Sequence, residues 1–465
     1  MLLMNFLTRK VKTLIVITLE SFQKMNIKIE PTQKVLSSFA GLLPIQKLME
    51  SFNFKDFISK SLPSQHYGVR RNAQKFENLV LGFGVGASCL DDMQILHNDL
   101  GFNIMCDEKK YTPKSYGNLL RSFDRYNCKL MNYQLVELAY KMRSKFLSKK
   151  ESITIDIDST VIKQYGKKME GVRKHRNGYL CLDMITACDE FGFQYWHDVR
   201  KGNTHTANGS KEMIHEIFNR MPHTSHYKKI RKYVRADSGY CQKEFFNSCF
   251  AKDARFVVRM RADMLEPLIP RINNWVAQNP KRKDCIMFYD GRECEIGKTY
   301  YTRKKCHGIL RVVVIRALKE SLKNHVLAES PNNYDYFGWI SSIGEHEMNN
   351  EELIRFYRKR GRIENCIREM KSGYDLRHYP CLKLSANKAY GLAAAFAYNF
   401  MRCLALISGQ KKVPYAKTLR IRFIHRPAQI VRHARTVVFR YAEHHYKEVS
   451  NWLDKITQIQ LGYTT

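Results

Sequence analysis

Hydrophobic and polar positions follow two different periods along the chain, and the period changes near residue 152. Apolar residues recur every three or four positions in VLSSFAGLLPIQKLMESF, FENLVLGFGVGASCLDDMQIL and MNYQLVELAYKMRSKFL, so residues 35–148 are predicted to be helical. Within them, the glycine string GFGVG is predicted to allow close helix packing, because it does not open a helix after a strand as a nucleotide loop would. The stretch SITIDIDSTVI then alternates with the period of a strand, which places Thr154, Asp156 and Asp158 on one face.

The segments after this strand alternate between strand and helix patterns. GYLCLDMITACD and QYWHDVRKG, joined by the turn-like EFGF, complete a predicted three-stranded antiparallel meander. A helix (ANGSKEMIHEIFNRM), a strand (IRKYVRAD), a second helix (CQKEFFNSCFAKD) and a further strand (ARFVVRM) follow. The order βββαβαβ predicts an α/β (α+β) protein with a ribonuclease H-like core.

A β-rich insertion and two helices are predicted next. The insertion contains the short strand patterns CIMFYD, RECEIGKTYYT, GILRVVVIRAL and YDYFGWISSI. A long helix is predicted from Asn349–Asn350 to Gly373, since asparagine is a good cap and Glu351 and Glu352 would lie in its first turn. The stretch ANKAYGLAAAFAYNFMRCLAL is apolar almost all round, so its helix is predicted to be buried.

These changes of pattern divide the chain into six predicted segments. They are 1–24, an extension before an alternative start at Met25 with no role in the fold; 25–150, a helical DNA-binding or dimerisation domain; 151–261, the first part of the core; 262–345, the β-rich insertion; 346–408, the second part of the core; and 409–465, a basic C-terminal region. The helical segment is equally compatible with a structural cap.

Composition narrows the class of protein. Lys and Arg number 78 against 44 Asp and Glu, a net charge of +34, which favours a polyanionic partner such as nucleic acid over a soluble enzyme with a basic surface. No apolar run approaches the roughly 20 residues of a membrane span, so an integral membrane protein is not expected. The 13 cysteines form no CxxC pair, which argues against a disulfide framework or a cysteine zinc site and fits a reducing cytosol.

Three acidic residues are candidates for divalent-metal chemistry. Asp158 is predicted at the end of the first strand, Asp237 at the end of the fourth, and Glu364 inside the long helix. Phosphoryl transfer with two Mg²⁺ ions about 4 Å apart needs carboxylates that converge from separate elements. A single strand-end acid is more often a solvated turn residue. Asp156 shares a face with Asp158, so either aspartate could be the ligand.

The predicted long helix adds a more specific pattern. On a continuous helix Tyr357, Arg360, Glu364 and Lys371 would fall within a stripe of about 60°. That stripe would present one acid between two cations and a phenol, which suits a metal ligand with phosphate-binding neighbours. An ordinary amphipathic helix with an Arg360–Glu364 pair is the alternative.

The pattern Y-x2-R-x3-E-x6-K resembles the signature of the IS4-like group of insertion-sequence transposases, which carry a DDE triad on a ribonuclease H-like core. More closely, the chain resembles the IS1380 family over about residues 40–440. The stretches that carry the resemblance are GLLPIQKLMESF, LVLGFGVGASCLDDMQIL, TIDIDSTVIKQYGK, VRKGNTHTANG, RADSGY, FYRKRGRIENCIREMKSGYDLRHYP, ANKAYGLAAAFAYNF and TLRIRFIHRPAQIVRHAR.

The resemblance implies a role for each matching residue. Asp158, Asp237 and Glu364 would be the catalytic metal ligands, with Asp158 preferred to Asp156 because it directly precedes Ser-Thr. The DNA-binding residues would be Tyr357, Arg360 and Lys371, through the phosphates of the transposon end. An aromatic residue of the insertion can hold a flipped base in the wider group, and Trp339 is a candidate, although a core position fits it better. His205 either approaches the active site or, more in keeping with GNTH, stabilises a turn.

The implied function is that of a bacterial DNA transposase. It would bind double-stranded DNA at terminal inverted repeats, cleave a strand with Mg²⁺ (Mn²⁺ can substitute) and join the freed 3′-hydroxyl to target DNA. The family also implies a homodimer in the synaptic complex and a cytoplasmic location on DNA, away from membranes. The alternatives are a structure-selective nuclease on the same fold, which would not transfer strands, and a non-catalytic DNA-binding repressor, which would tolerate loss of the three acids.

Overall fold

A computed structural model describes residues 29–63, 68–146, 151–302, 308–322, 330–410 and 412–460. The predicted extension 1–24 and the alternative start at Met25 lie outside the described residues. Residues 29–35 carry no helix or strand. The folded unit begins at Leu36.

The described residues before the central sheet are predominantly helical, as the apolar spacing predicts. Polar caps fix helix starts here: the Thr112 hydroxyl accepts from the Ser115 amide, and Asp124 caps the longest of these helices by accepting from the Asn127 amide. After a short strand β1 (Leu36–Ser37), the helices are α1 (Leu43–Ser51), α2 (Phe54–Ser59), α3 (Val69–Val85), α4 (Asp92–Leu96), α5 (Leu100–Met105), α6 (Pro113–Ser122) and α7 (Arg125–Ser144).

The glycine string lies at the end of α3 and confirms the helix-packing prediction. A Cβ atom at Gly82 would collide with the sulfur of Met93, so the absence of a side chain lets α4 pack directly on α3. Gly86 ends the helix with φ +112°, a backbone conformation that L side chains rarely adopt.

The central sheet has the strand order expected of a ribonuclease H-like core. Strand β4 pairs antiparallel with both β2 and β5, while β2, β6 and β7 run parallel, so the core order is β5-β4-β2-β6-β7. The strands are β2 (Ser152–Lys163), β3 (Arg173–Lys174), β4 (Leu180–Cys188), β5 (Gln194–Lys201), β6 (Arg231–Ala236) and β7 (Ala254–Arg259), and the helices that connect or follow them are α8 (Ser210–Asn219), α9 (Ser225–Lys229), α10 (Lys243–Phe250) and α11 (Ala262–Leu265).

The insertion extends this same sheet. Its last strand pairs antiparallel with β7, and the others follow outward in the order β11-β10-β9-β8. The prediction of a strand at CIMFYD is wrong, since none of its residues lies in a strand. The Gly291 amide donates to the Phe288 carbonyl and the Phe288 amide donates to the Arg292 carbonyl, so the end of this run forms a tight turn. The strands of the insertion are β8 (Trp275–Ala277), β9 (Glu295–Tyr301), β10 (Leu310–Leu318) and β11 (Tyr334–Ser341).

The predicted long helix begins where expected but is not continuous. Asn349 and Glu352 form a capping box at the start of α12 (Asn350–Arg358). The α-helical ladder then breaks, since the Arg360 amide bonds three residues back to Tyr357, and α13 (Gly361–Arg368) begins at a glycine, which lowers helix propensity. A π-helical turn, Glu369–Gly373, follows. The single 60° stripe therefore does not describe this segment.

Helix α14 (Leu384–Ile407) runs through the core, as its apolar sequence predicts. It packs against α3, α7 and β5, and the Asn399 side chain bonds both backbone groups of Gln194 at 2.8 Å. Among the described residues it is the helix long and apolar enough to cross a membrane, but 89% of its most apolar window is buried inside the protein. That burial identifies it as a core helix.

The C-terminal region folds back on the first strand. Strands β12 (Ala428–His433) and β13 (Thr436–Tyr441) form a hairpin, and β12 also pairs antiparallel with β1. Helix α15 (Ala416–Leu419) precedes this small sheet and α16 (Glu443–Gln460) follows it.

Candidate active site

Asp158 and Asp237 follow the last paired residues of two neighbouring parallel strands. The β2–β6 pairing ends at Ile157 opposite Ala236, and each aspartate is the next residue along its strand. Neighbouring strands lie about 4.8 Å apart, so the two carboxylates meet at one edge of the sheet. Strand β2 itself continues to Lys163, paired with β4 alone, so Asp158 lies within β2 and not at its end as predicted.

This position places two negative charges side by side. Like charges on adjacent positions of neighbouring strands are destabilising. The Oδ1 atom of Asp237 accepts a hydrogen bond from the Gly239 amide at 3.0 Å, which orients its carboxylate at the start of a short 3₁₀ turn. The pair therefore forms a local concentration of negative charge that a cation would stabilise.

Asp158 and Glu364 both contact Arg360, and Asp158 is the more buried of the two. Its side chain is 14% exposed, its Oδ1 accepts from the Ser159 amide at 2.8 Å, and its Oδ2 lies 2.8 Å from Nη2 of Arg360. Burial raises the pKa of Asp158 to about 6. Arg360 opposes that rise, whereas the nearby charges of Asp237 and Glu364 add to it.

Arg360 lies between two of the candidate ligands. Its guanidinium contacts Asp158 at 2.8 Å and Oε1 of Glu364 at 3.6 Å, and its side chain is 9% exposed. Burial alone would disfavour its charge, but the negative charges of Asp158 and Asp237 outweigh burial and raise its pKa. Its Nε atom is buried with no hydrogen-bond acceptor in the part of the chain that the structure describes.

Glu364 is the accessible member of the acidic set. It lies in the first turn of α13, and its side chain is 64% exposed. Its carboxylate is near enough to raise the pKa of Asp158. Over the described residues, no three His, Cys, Asp or Glu side chains lie close enough together to hold a metal ion as they stand. Shared metal ligation by Asp158, Asp237 and Glu364 stays a prediction.

The donor set nevertheless suits a hard divalent cation. Mg²⁺ prefers carboxylate oxygens and water, and the site offers three carboxylates and no thiol or imidazole among its predicted ligands. The two adjacent aspartates are fixed by the sheet, and the exposed Glu364 has the rotamer freedom to approach them. The residues present therefore fit such an ion by their chemistry.

The remaining predicted contacts differ in accessibility. Nζ of Lys371 donates to Oγ1 of Thr160 at 2.6 Å, two residues beyond Asp158 on β2. The Tyr357 side chain is almost fully buried, with its ring centroid 5.7 Å from that of Trp339. Burial raises the pKa of Tyr357, so its phenol stays protonated.

The three other candidate residues from the sequence, Asp156, Trp339 and His205, have structural surroundings. Asp156 is fully buried and binds Arg235 through both oxygens, at 2.6 and 2.7 Å. Trp339 is fully buried in the core. His205 is exposed and its Nδ1 accepts from the Ala207 amide at 3.3 Å, the geometry of a turn histidine.

Two partners at the site were not singled out from the sequence. Thr160 accepts from Lys371, and Arg235 neutralises Asp156. The TIDIDST and RKYVRAD stretches contain both residues, and a charged residue inside an otherwise apolar strand is a signal that some partner exists. The partner itself depends on the β2–β6 register, in which Asp156 is opposite Arg235.

Comparison with known proteins adds one match. The family model described as Transposase DDE domain group 1 matches residues 19–460. A search of curated proteins gave no match.

Proposed function

The chain belongs to the DDE-domain transposases, metal-dependent enzymes that act on DNA, and on that premise we propose that it is the transposase of an IS1380-like bacterial insertion sequence. It binds the terminal inverted repeats of its element, cleaves a strand at the boundary and joins the freed 3′-hydroxyl to target DNA. The observation that carries this proposal is the adjacency of Asp158 and Asp237 at the ends of parallel pairing, with Glu364 presented beside them by α13.

In this proposal the three carboxylates hold the divalent metal. When bound, Mg²⁺ or Mn²⁺ activates the attacking water or 3′-hydroxyl and stabilises the leaving oxygen, and two ions suit an in-line displacement. Asp158 and Asp237 supply ligands from fixed positions on the sheet. Glu364 would complete the set from the solvent side, where its side chain is 64% exposed.

The cations beside the acids bind the DNA phosphates. Arg360 has a buried Nε donor without an acceptor among the described residues, so part of its guanidinium fork is available to a phosphate oxygen. Lys371 is held by Thr160 and presents a point charge on the same side of β2. Tyr357 is the least accessible of the three, and its protonated phenol lies close enough to the Arg360 guanidinium to interact with it electrostatically.

The assay that tests the proposal uses the full chain with duplex DNA carrying the inverted repeats that flank its gene. With Mg²⁺ or Mn²⁺ we expect a strand break at the element boundary, and with pre-cut 3′-hydroxyl ends and a plasmid we expect joined products. EDTA and Glu364→Gln should each abolish both reactions. Glu212→Gln on α8 is the matched control, because that glutamate is also exposed and also forms an ion pair with a basic side chain, that of Lys129.

Three outcomes would overturn parts of the proposal. Cleavage by Glu364→Gln at the wild-type rate would remove the site assignment. Cleavage without joining would favour the structure-selective nuclease. Binding to the repeats, without cleavage and unchanged in all three acid variants, would favour the repressor.

The proposal extends to assembly and location. By resemblance to the family, we expect two copies of the enzyme to hold the two element ends together, as a homodimer in the bacterial cytoplasm. Light scattering of the complex with paired repeats should give the mass of two chains, and a single chain per pair of ends would contradict it.

A further inference from the structure

A strongly basic segment connects β2 to β4 beside the candidate active site. The connection, residues 163–179, runs from the last residue of β2 through β3 to the start of β4. Its sequence KQYGKKMEGVRKHRNGY contains a single acid, Glu170. Its exposed cationic side chains are Lys163, Lys167, Lys168, Arg173, Lys174 and Arg176. Within the described parts of the chain, none of these six forms an ion pair with an Asp or Glu.

The connection is held in place by the core. The Gln164 amide donates to the Leu180 carbonyl at 2.9 Å, and the Glu170 amide donates to the Leu382 carbonyl at 2.8 Å. The carboxylate of Glu170 accepts from the Leu384 amide at 2.9 Å, so this acid is occupied by the start of α14. Because both ends are anchored, less conformational entropy is lost when a ligand binds than for a free basic tail.

Its distance from the acids follows from the strand that they share. Lys163 comes five residues after Asp158 on β2, and at about 3.3 Å per residue this is roughly 17 Å. Lys371, bonded to Thr160, lies between them. Each nucleotide of one DNA strand adds about 3.4 Å along the duplex axis, so on a duplex whose axis runs along β2 this span corresponds to about five nucleotides.

We propose that the β2–β4 connection binds the sugar–phosphate backbone of duplex DNA about five nucleotides from the phosphate that is attacked beside Asp158. This inference rests on the proposed function, since it places the scissile phosphate at the acids. The exposed lysines and arginines form no ion pair with an acid among the described residues, so their charges are available to phosphates, and a contact to phosphate is independent of sequence. Its effect is to fix the position of the DNA relative to the acids.

The test compares two pairs of adjacent, exposed lysines in the full chain. Lys167→Ala/Lys168→Ala changes the connection. Lys228→Ala/Lys229→Ala changes α9, which precedes the opposite, amino-terminal end of β6. Binding to a fluorescent duplex is measured in EDTA by anisotropy over a range of salt concentrations, so that no cleavage intervenes.

The first pair should weaken binding about tenfold at low salt and reduce the slope of log K against log salt by about 2, at roughly 0.9 per phosphate contact. The second pair should leave both values as in the wild type. Arg173→Gln/Lys174→Gln on β3 provides an independent variant of the same surface, with the same expected direction. Ethylation interference should show the lost phosphate contacts about five nucleotides from the cleaved position.

The outcomes separate this inference from the proposed function. If both connection variants bind with the wild-type slope while the wild type still cleaves with Mg²⁺ and Glu364→Gln does not, the DNA-contact inference is wrong and the transposase proposal stands. If the slopes differ as expected but no metal-dependent cleavage occurs, the surface binds DNA and the proposed function fails. An equal loss in the α9 control would also overturn the inference, since it would show a general effect of net charge.

Discussion

Two aspartates on the same strand, two residues apart, have opposite surroundings. Asp156 is fully buried and bonded through both oxygens to Arg235, whose guanidinium also donates to the Phe356 carbonyl. Asp158 keeps 14% of its side chain exposed and contacts Arg360 through one oxygen. The Asp156–Arg235 pair is almost completely buried, and we call it the closed pair. The Asp158–Arg360 pair is partly exposed to solvent and lies next to Asp237, and we call it the open pair.

The difference comes from the neighbouring strand. In the β2–β6 register Asp156 is opposite Arg235, whereas the position beside Asp158 is taken by Asp237. An opposite-charge pair stabilises a sheet and a like-charge pair destabilises it. At Asp156, the register therefore produces a buried salt bridge with a structural role. At Asp158, two residues further along β2, it places two acids side by side, and their negative charge suits a metal-dependent active site.

The largest expected effect is on catalysis. Asp158→Asn should lower metal-dependent cleavage by about 10³-fold or more, because an amide cannot supply the anionic ligand. Cleavage of a labelled repeat duplex under single-turnover conditions measures the loss. Circular dichroism should show an unchanged fold. If the variant retained cleavage, Asp158 would not be catalytic, and the functional contrast between Asp156 and Asp158 would be wrong.

The next effect is on stability, at the closed pair. Asp156→Ala should lower the free energy of unfolding by about 3 kcal/mol, because it leaves the buried Arg235 charge without a partner. Urea unfolding followed by fluorescence measures this value. The double variant Asp156→Leu/Arg235→Met is the control, and it should recover most of the loss since no unpaired charge remains. Equal stability of the single variant and the wild type would show that the pair is not structural.

Local patterns predicted much of the fold around these two aspartates. Strict alternation marked β2, and Asn349 with Glu352 marked the start of α12, because both signals are contained within a few residues. The break before Gly361 was missed, since the apolar spacing of an amphipathic helix continues across a short interruption of its hydrogen bonding. CIMFYD was assigned to a strand because an apolar run shows that residues are buried but not whether a strand is available to pair with them.

The candidate site was also predicted only in part, because local patterns do not show which residues of two distant strands lie opposite each other. Strand-end patterns singled out Asp158 and Asp237, and β6 brings the second beside the first. The choice between Asp156 and Asp158 could not be made from alternation, which puts both on one face. The position of Arg235 decides their surroundings, and that position depends on the register of strands about 80 residues apart in sequence.

A smaller effect is expected at the arginine of the open pair. Arg360→Lys should slow cleavage by about 10- to 100-fold, since lysine keeps the charge but cannot bind a carboxylate and a phosphate with one planar fork. Single-turnover rates at saturating DNA measure this effect. Arg362→Lys, two residues away on α13 and exposed, should change the rate less than about threefold. Equal losses in both variants would indicate a general effect on α13.

The last expected effect is a pH dependence of the free energy of unfolding that arises from Asp158 and distinguishes it from Asp156. Burial raises the pKa of Asp158 from 3.8 to about 6, so the folded state binds a proton more tightly than the unfolded state does. Its contribution to stability is therefore full below about pH 4 and is lost as pH rises through 6. In EDTA, Asp158→Asn should be more stable than the wild type by about 2–3 kcal/mol above pH 6, and the two should converge near pH 4. Thermal unfolding across this pH range measures the difference. A wild type that gained stability relative to Asp158→Asn as pH rose would mean that Arg360 outweighs burial, and the open pair would then be a structural salt bridge like the closed one.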